Sequence, residues 1–274
     1  MFNSLKFKVI LFGFIFTFFS SFGQSYFLGL FNSSIREALS ITHGQFGSIY
    51  ASATLCSSLL LIWVGKKIDD VNIFKFAFFV TILLSFACFF FSRVTSVFLL
   101  FIAIFLMRFS GQGMMSHTAS TTISRYFTRT RGRALSISWF GLSSAEFIMP
   151  VLMVYLLTII DWQNLWLIFS ITVLIVLPIV SFLLIKNLNL DSREANDEDK
   201  KEVEIKQWKR REVIKDYRFY IISSNMLAMP WIFTGFAVFQ SFIQTSKGWG
   251  PYVILNHLCL IQFCQYLLYF YQVF

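Results

Sequence analysis

The sequence is short of charge. Of its 274 residues only 14% are Asp, Glu, Lys or Arg, where a soluble domain carries about 25%. A surface so poor in charge would aggregate in water, which excludes an ordinary soluble fold. Acids are scarcer than bases, 14 against 23, yet the excess is not gathered into a nucleic-acid patch. Ten of the basic residues lie between Lys186 and Arg218 among nine acids, and most others stand in short gaps between apolar runs. That is how membrane topology is written. The three histidines (His43, His117, His257) form no cluster, and the four cysteines (Cys56, Cys88, Cys259, Cys264) lie inside apolar runs without metal-ligand spacing. A Gly-rich phosphate loop and a nucleophile elbow are also lacking. Neither an enzyme nor a cofactor nor a metal is implied.

What is present is apolar length. The chain is 57% hydrophobic with 36 phenylalanines, the composition of an integral membrane protein. Lys6 and Lys8 before an apolar stretch that ends at Ser21-Phe22-Gly23 have the make-up of a signal peptide. The apolar character runs on to Phe31, however, giving 23 residues from Val9, enough for a bilayer core that needs about 20. Further spans are expected over 46–64, rich in small residues, and over 73–91, almost featureless and expected to face lipid. Others follow over 96–117, 134–160, 164–185 and 219–242, the last kinked at Pro230, with an eighth over 252–274. Residues 32–45 read as a polar loop. The chain thus divides into 1–185, a six-helix bundle; 186–218, a charged linker; and 219–274, the start of a second bundle.

With the N-terminus in the cytoplasm, Lys and Arg divide 19 inside to three outside, and the short loops alone give nine to three. The positive-inside rule then fixes the orientation, and the expected location is a bacterial inner (plasma) membrane.

Two charges do not fit a topology role. Arg108 lies 12 residues after Ser96, and Glu146 lies 14 before Ile160. At about 1.5 Å per residue both reach mid-bilayer, where a charge costs roughly 2.5–3.5 kcal/mol. Three readings stand side by side: a structural ion pair, an Arg108 that grips an anionic solute with its planar fork, and a Glu146 that relays protons. Gln24, Gln112 and Gln240 are candidate polar contacts in the same region, or interhelical hydrogen bonds that hold the bundle. His117, close to the cytoplasmic end of span four, reads as interfacial, with a gating or proton role as the alternative.

The motifs resemble those of the major facilitator superfamily. Its loop between spans two and three reads Gly-x-x-x-Asp-Arg/Lys-x-Gly-Arg/Lys. Gly65 and Asp69 match, whereas Asp70, Asn72 and Ile73 depart from it, so the family's charged latch loses two cations. Asn72, in place of glycine, can still adopt the left-handed turn, so the fold expected of the loop stands. Arg108 with Gly111 and Gly113 is similar to the family's Arg-x-x-x-Gly theme in span four. Phe127 to Ala134, with Arg131, Gly132 and Arg133, resembles Phe-x-x-x-Arg-Gly-x-Ala. Gly141 to Pro150 resembles its glycine-to-proline fifth span, and Asp161-Trp162-Gln163 a common Gly-Trp-Arg turn.

The resemblance implies an all-α bundle of inverted three-span repeats with a site near the midplane. Ser21-Phe22-Gly23-Gln24 in span one and Phe109-Ser110-Gly111-Gln112 in span four echo such a repeat, and both would present Gly-Gln to the centre. It implies a secondary transporter of a small solute, a small organic anion by the Arg108 reading, with proton coupling if Glu146 titrates. Gly65, Asp69, Arg131, Gly132 and Arg133 would act in gating, and Gly111, Gly113, Gly141 and Pro150 in helix packing. A full relative has twelve spans, so the chain reads as truncated. The rival expectation is a non-transporting remnant, or a half that needs a second polypeptide.

Overall fold

In a computed structural model the described residues are 4–186 and 210–250, with the isolated positions Val253, Leu260 and Cys264. Among them there are helices and turns and no strand. Among the described residues seven helical segments are long and apolar enough to cross a membrane, and a helix satisfies its backbone groups within its own segment, as lipid demands. The eighth span expected over 252–274 and most of the charged linker lie outside the described residues.

Span one is not one helix. It comprises α1 (Ser4–Phe19), a 3₁₀ turn (Ser20–Gly23) and α2 (Ser25–Leu30). The supposed polar loop after it is largely helical: α3 (Asn32–Leu39) ends on Ser40, whose φ of 53° gives a left-handed cap. Span two, α4 (His43–Val64), starts earlier than apolarity alone suggests because Thr42 and Gln45 form a capping box. Span three is α5 (Ile73–Ser92). Asn72 precedes it at φ −56°, ψ 129°, so it is extended and not left-handed. Its side chain instead caps α5 by accepting from the amides of Phe74 and Lys75.

Span four is α6 (Val97–Met107), a π-helical stretch over Arg108–Met115, and α7 (Ser116–Tyr126). Eight residues of π-helix are unusual, and such departures gather at functional sites. Span five is α8 (Arg131–Leu156), four residues shorter at its far end than the apolar run, and span six is α9 (Trp162–Ile185). A short helix, α10 (Arg210–Lys215), leads into span seven, α11 (Tyr217–Val238). That helix continues through Pro230 and breaks at Phe239, after which α12 (Gln240–Ser246) follows.

The packing carries an inverted repeat. Span one lies along span five as span four lies along span two, and spans three and six pair with each other. Ser85 of α5 donates to the Ser170 carbonyl at 3.0 Å, and Ser170 of α9 donates to the Ser85 carbonyl at 2.9 Å. Such reciprocity is what a two-fold axis produces. The pairing also corrects the lipid-facing reading of span three: half of its residues are buried, including Val80, Leu84 and Cys88, and only its other face is open.

The same axis runs through the crossing of spans one and four. A Cβ on Gly111 would lie 2.6 Å from the Gly23 nitrogen, and one on Gly23 would lie 2.4 Å from the Gln112 nitrogen. The two backbones touch there. Gly141 allows the equivalent approach of span five to span one, since a Cβ would meet the Phe14 carbonyl oxygen at 2.0 Å. Thr17 fixes that contact by donating to the Ser138 carbonyl at 2.6 Å. At one end of spans one, three and six, Phe22, Phe27, Phe31, Phe91 and Phe169 surround the fully buried Trp166. This aromatic packing seals that end of the bundle.

Candidate functional site

Where span one changes from 3₁₀ turn to α2, Gln24 takes extended angles, φ −80° and ψ 152°. The break turns Gln24 and Ser25 toward the space beside spans four, five and seven. A cavity of about 300 Å³ lies there, lined by Gln24, Ser25, Gln112, Trp139, Leu142, Ser143, Glu146, Pro230, Phe233 and Thr234. The two Gly-Gln pairs therefore do meet: their glycines form the helix crossing, and their glutamines share one cavity. Glu146 is half-buried in its wall, within electrostatic reach of Tyr26.

Arg108 is placed differently. Its guanidinium donates through Nη1 to the Gly23 carbonyl at 3.0 Å and to Ser25 Oγ at 3.2 Å. The Tyr50 ring lies beneath it, 5.3 Å from the centroid. The side chain is buried, does not line the cavity, and leaves Nε without a hydrogen-bond partner. Among the described residues no Arg108–Glu146 ion pair forms, so the structural pair, one of the three readings, is not made. Backbone and hydroxyl oxygens of span one, with an aromatic face, stabilise the cation instead.

Ser25 joins four spans. It accepts from Tyr50 Oη at 2.9 Å and from Arg108, and its own hydrogen points at Thr234 Oγ1, 3.5 Å away on span seven. One donor and two acceptor sites are all a hydroxyl has. Span seven and the segment after it are held to α2 and α3 by further contacts: Asn32 donates to the Val238 carbonyl at 2.6 Å, and Gln240 to the Tyr26 carbonyl at 3.4 Å. Gln240 thus sits in the joint between spans one and seven, outside the cavity lining.

The gating candidates lie at the end of the bundle that carries the basic turn. Asp69 pairs with Arg125 of α7, and Arg125 also donates to the Ile68 carbonyl at 3.2 Å. Asp69 thus takes its cation from span four. His117 Nε2 is 2.9 Å from the Gly65 carbonyl; a carbonyl only accepts, so that nitrogen carries the hydrogen. Arg131 donates back to the Phe127 carbonyl at 3.3 Å. Gly132 and Arg133 line an open cleft of about 640 Å³ with Arg129, Thr130 and Ser136. Among the packing candidates, Gly113 rests on Leu61 and Pro150 is buried within α8.

Sequence reasoning missed Ser25, Tyr50, Trp139 and Ser143. A signal for two of them existed: Trp139, Leu142, Ser143 and Glu146 recur at helical spacing, so the face that carries Glu146 could be read from α8 alone. Nothing local marks Ser25 or Tyr50.

Inverted repeats that enclose a polar cavity within an apolar bundle define an integral membrane protein of the transporter class. The family model of the Major Facilitator Superfamily matches residues 13–266, and the chain belongs to that family. None of the curated proteins compared with it matches.

Proposed function

We propose that this major facilitator transporter moves a small polar solute by alternating access around the cavity between spans one, four, five and seven. The carrying observation is the lining itself: two amides, three hydroxyls and a carboxylate converge on one space within apolar helices. Polar groups at that depth are costly and are kept where they meet a solute or ion. A volume of about 300 Å³ stands at the lower end of ligand pockets, which run from about 300 to 1,000 Å³, and so suits a small solute.

Glu146 is the coupling residue in this reading, because a carboxylate in a site that opens to either side can take up and release a proton. A small organic anion would need Arg108 to give up Gly23 and Ser25, with only its Nε ready to donate. The N-terminus lies in the cytoplasm of a cell whose plasma membrane holds the protein, which the distribution of Lys and Arg supports. The bundle over 1–185 is then one unit, joined through the linker 186–218 to the second that begins at 219.

Ser143→Cys tests the site, in a variant whose native cysteines are alanine. A membrane-impermeant maleimide added from one face of sealed vesicles, then from the other, should reach the introduced thiol from both. Reaction from neither face would refute the proposal.

A further inference from the structure

We infer that the solute is a small planar nitrogen heterocycle of the nucleobase kind, recognised through its N–H and C=O edge. The inference rests on the proposed site and adds the class of solute it takes. Of the polar groups on the wall, Ser25, Thr234 and Glu146 are engaged within the protein. The amides of Gln24 and Gln112 are not: among the described residues neither side chain makes a hydrogen bond. They are therefore not the glue that amides supply between helices, a part that Gln240 plays by donating to Tyr26. Each keeps two N–H donors and a carbonyl acceptor for what enters the cavity.

A primary amide is flat, with donor and acceptor side by side on one edge. It pairs with any group that shows an acceptor beside a donor in the same plane, which is how glutamine reads adenine. The –NH–C(=O)– edge of an oxo-heterocycle offers the same pattern. Gln24 and Gln112 each follow a glycine of the crossing between spans one and four, so the repeat sets two such edges on one cavity. The other two spans around it supply aromatic rings, Trp139 from span five and Phe233 from span seven. Flat bases stack on such rings, with a gain of about 10-fold in affinity for a good contact. A polyol is served less well. Its hydroxyls stand out of the mean plane of the molecule, and the hydroxyls of Ser25 and Thr234 that would suit them face each other.

The probes are uracil and hypoxanthine, set against 1,3-dimethyluracil and erythritol. The dimethyl compound keeps the plane and the carbonyls but has no N–H donor, and erythritol is a polyol. Binding to the full chain in nanodiscs is measured by calorimetry. Uracil or hypoxanthine should bind tighter than 1,3-dimethyluracil and erythritol by about 10-fold or more. That binding should fall by about 10-fold in each of Gln24→Met, Gln112→Met and Trp139→Ala, and hold in the control Gln163→Met at the start of span six. Melting temperatures show which variants fold; should one fail, the order of the probes on the wild type decides. Binding of neither heterocycle, no advantage over 1,3-dimethyluracil, a preference for erythritol, or heterocycle binding untouched by any one of the three variants would each overturn the inference. If the thiol at 143 is reached from both faces while the heterocycles fail, the site stands and only the class of solute falls. If that thiol is reached from neither face, the site falls and this inference with it.

Discussion

Gly111→Ala is a one-carbon perturbation of the point where spans one and four touch. The added Cβ would sit 2.6 Å from the Gly23 nitrogen and 2.8 Å from its Cα. Ordinary contact begins near 3.4 Å, so the helices must part by about 0.8 Å, and both clashing atoms are backbone that no rotamer change can move. Overpacking of this kind costs typically 1–3 kcal/mol. Alanine returns about 1 kcal/mol of helix propensity, an upper figure here because the segment is π-helical. The net loss is about 1–2 kcal/mol, which at this chain length lowers the melting temperature by roughly 2–8 °C. Gly132→Ala is the matched control, since a Cβ there meets nothing within 4 Å, and the same propensity gain should leave it at or above wild type. Thermal unfolding of the two variants in one detergent measures the difference. Equal melting temperatures, or a Gly111→Ala variant as stable as wild type, would refute the backbone-contact argument.

Two further outcomes follow from named contacts. Arg108→Lys should insert normally yet melt lower, because an ammonium cannot hold Gly23 and Ser25 while spreading a plane over Tyr50; charged hydrogen bonds are worth about 1.5–3 kcal/mol each. It should also leave the thiol of Ser143→Cys open to one face only, and two-sided labelling would count against a role for Arg108 in setting the cavity wall. Ser85→Ala, Ser170→Ala and the double variant form a cycle whose coupling should be about 0.6 kcal/mol, typical of interhelical hydrogen bonds in bilayers. Strict additivity in unfolding titrations would mean that the reciprocal pair is not made in the membrane.

The membrane-spanning class was legible without coordinates, because a helix in lipid must be about 20 apolar residues long and that length shows directly in the chain. So were the two unusual charges, since a formal charge in such a run stands out wherever its side chain turns. The Gly-Gln echo between spans one and four marked the pair that an inverted repeat relates, and the structure adds that their glycines meet at a crossing, where backbone contact demands glycine.

What the charges and glutamines touch was not legible. Equal depth suggested that Arg108 and Glu146 meet, but depth is one coordinate, and rotation about the helix axis decides which neighbour a side chain faces. The π-helical stretch over Arg108–Met115 and the 3₁₀ turn over Ser20–Gly23 both shift that rotation, and neither has a hydrophobic period to announce it. They turn Arg108 onto span one and Tyr50 and open Gln24 and Gln112 to a common cavity, while Gln240, just past the break at Phe239, meets Tyr26 instead. Composition and apolar length alone determined that this protein crosses a membrane in helices; only the tertiary structure, through the phase of each helix at its crossings, decided which polar groups share the cavity.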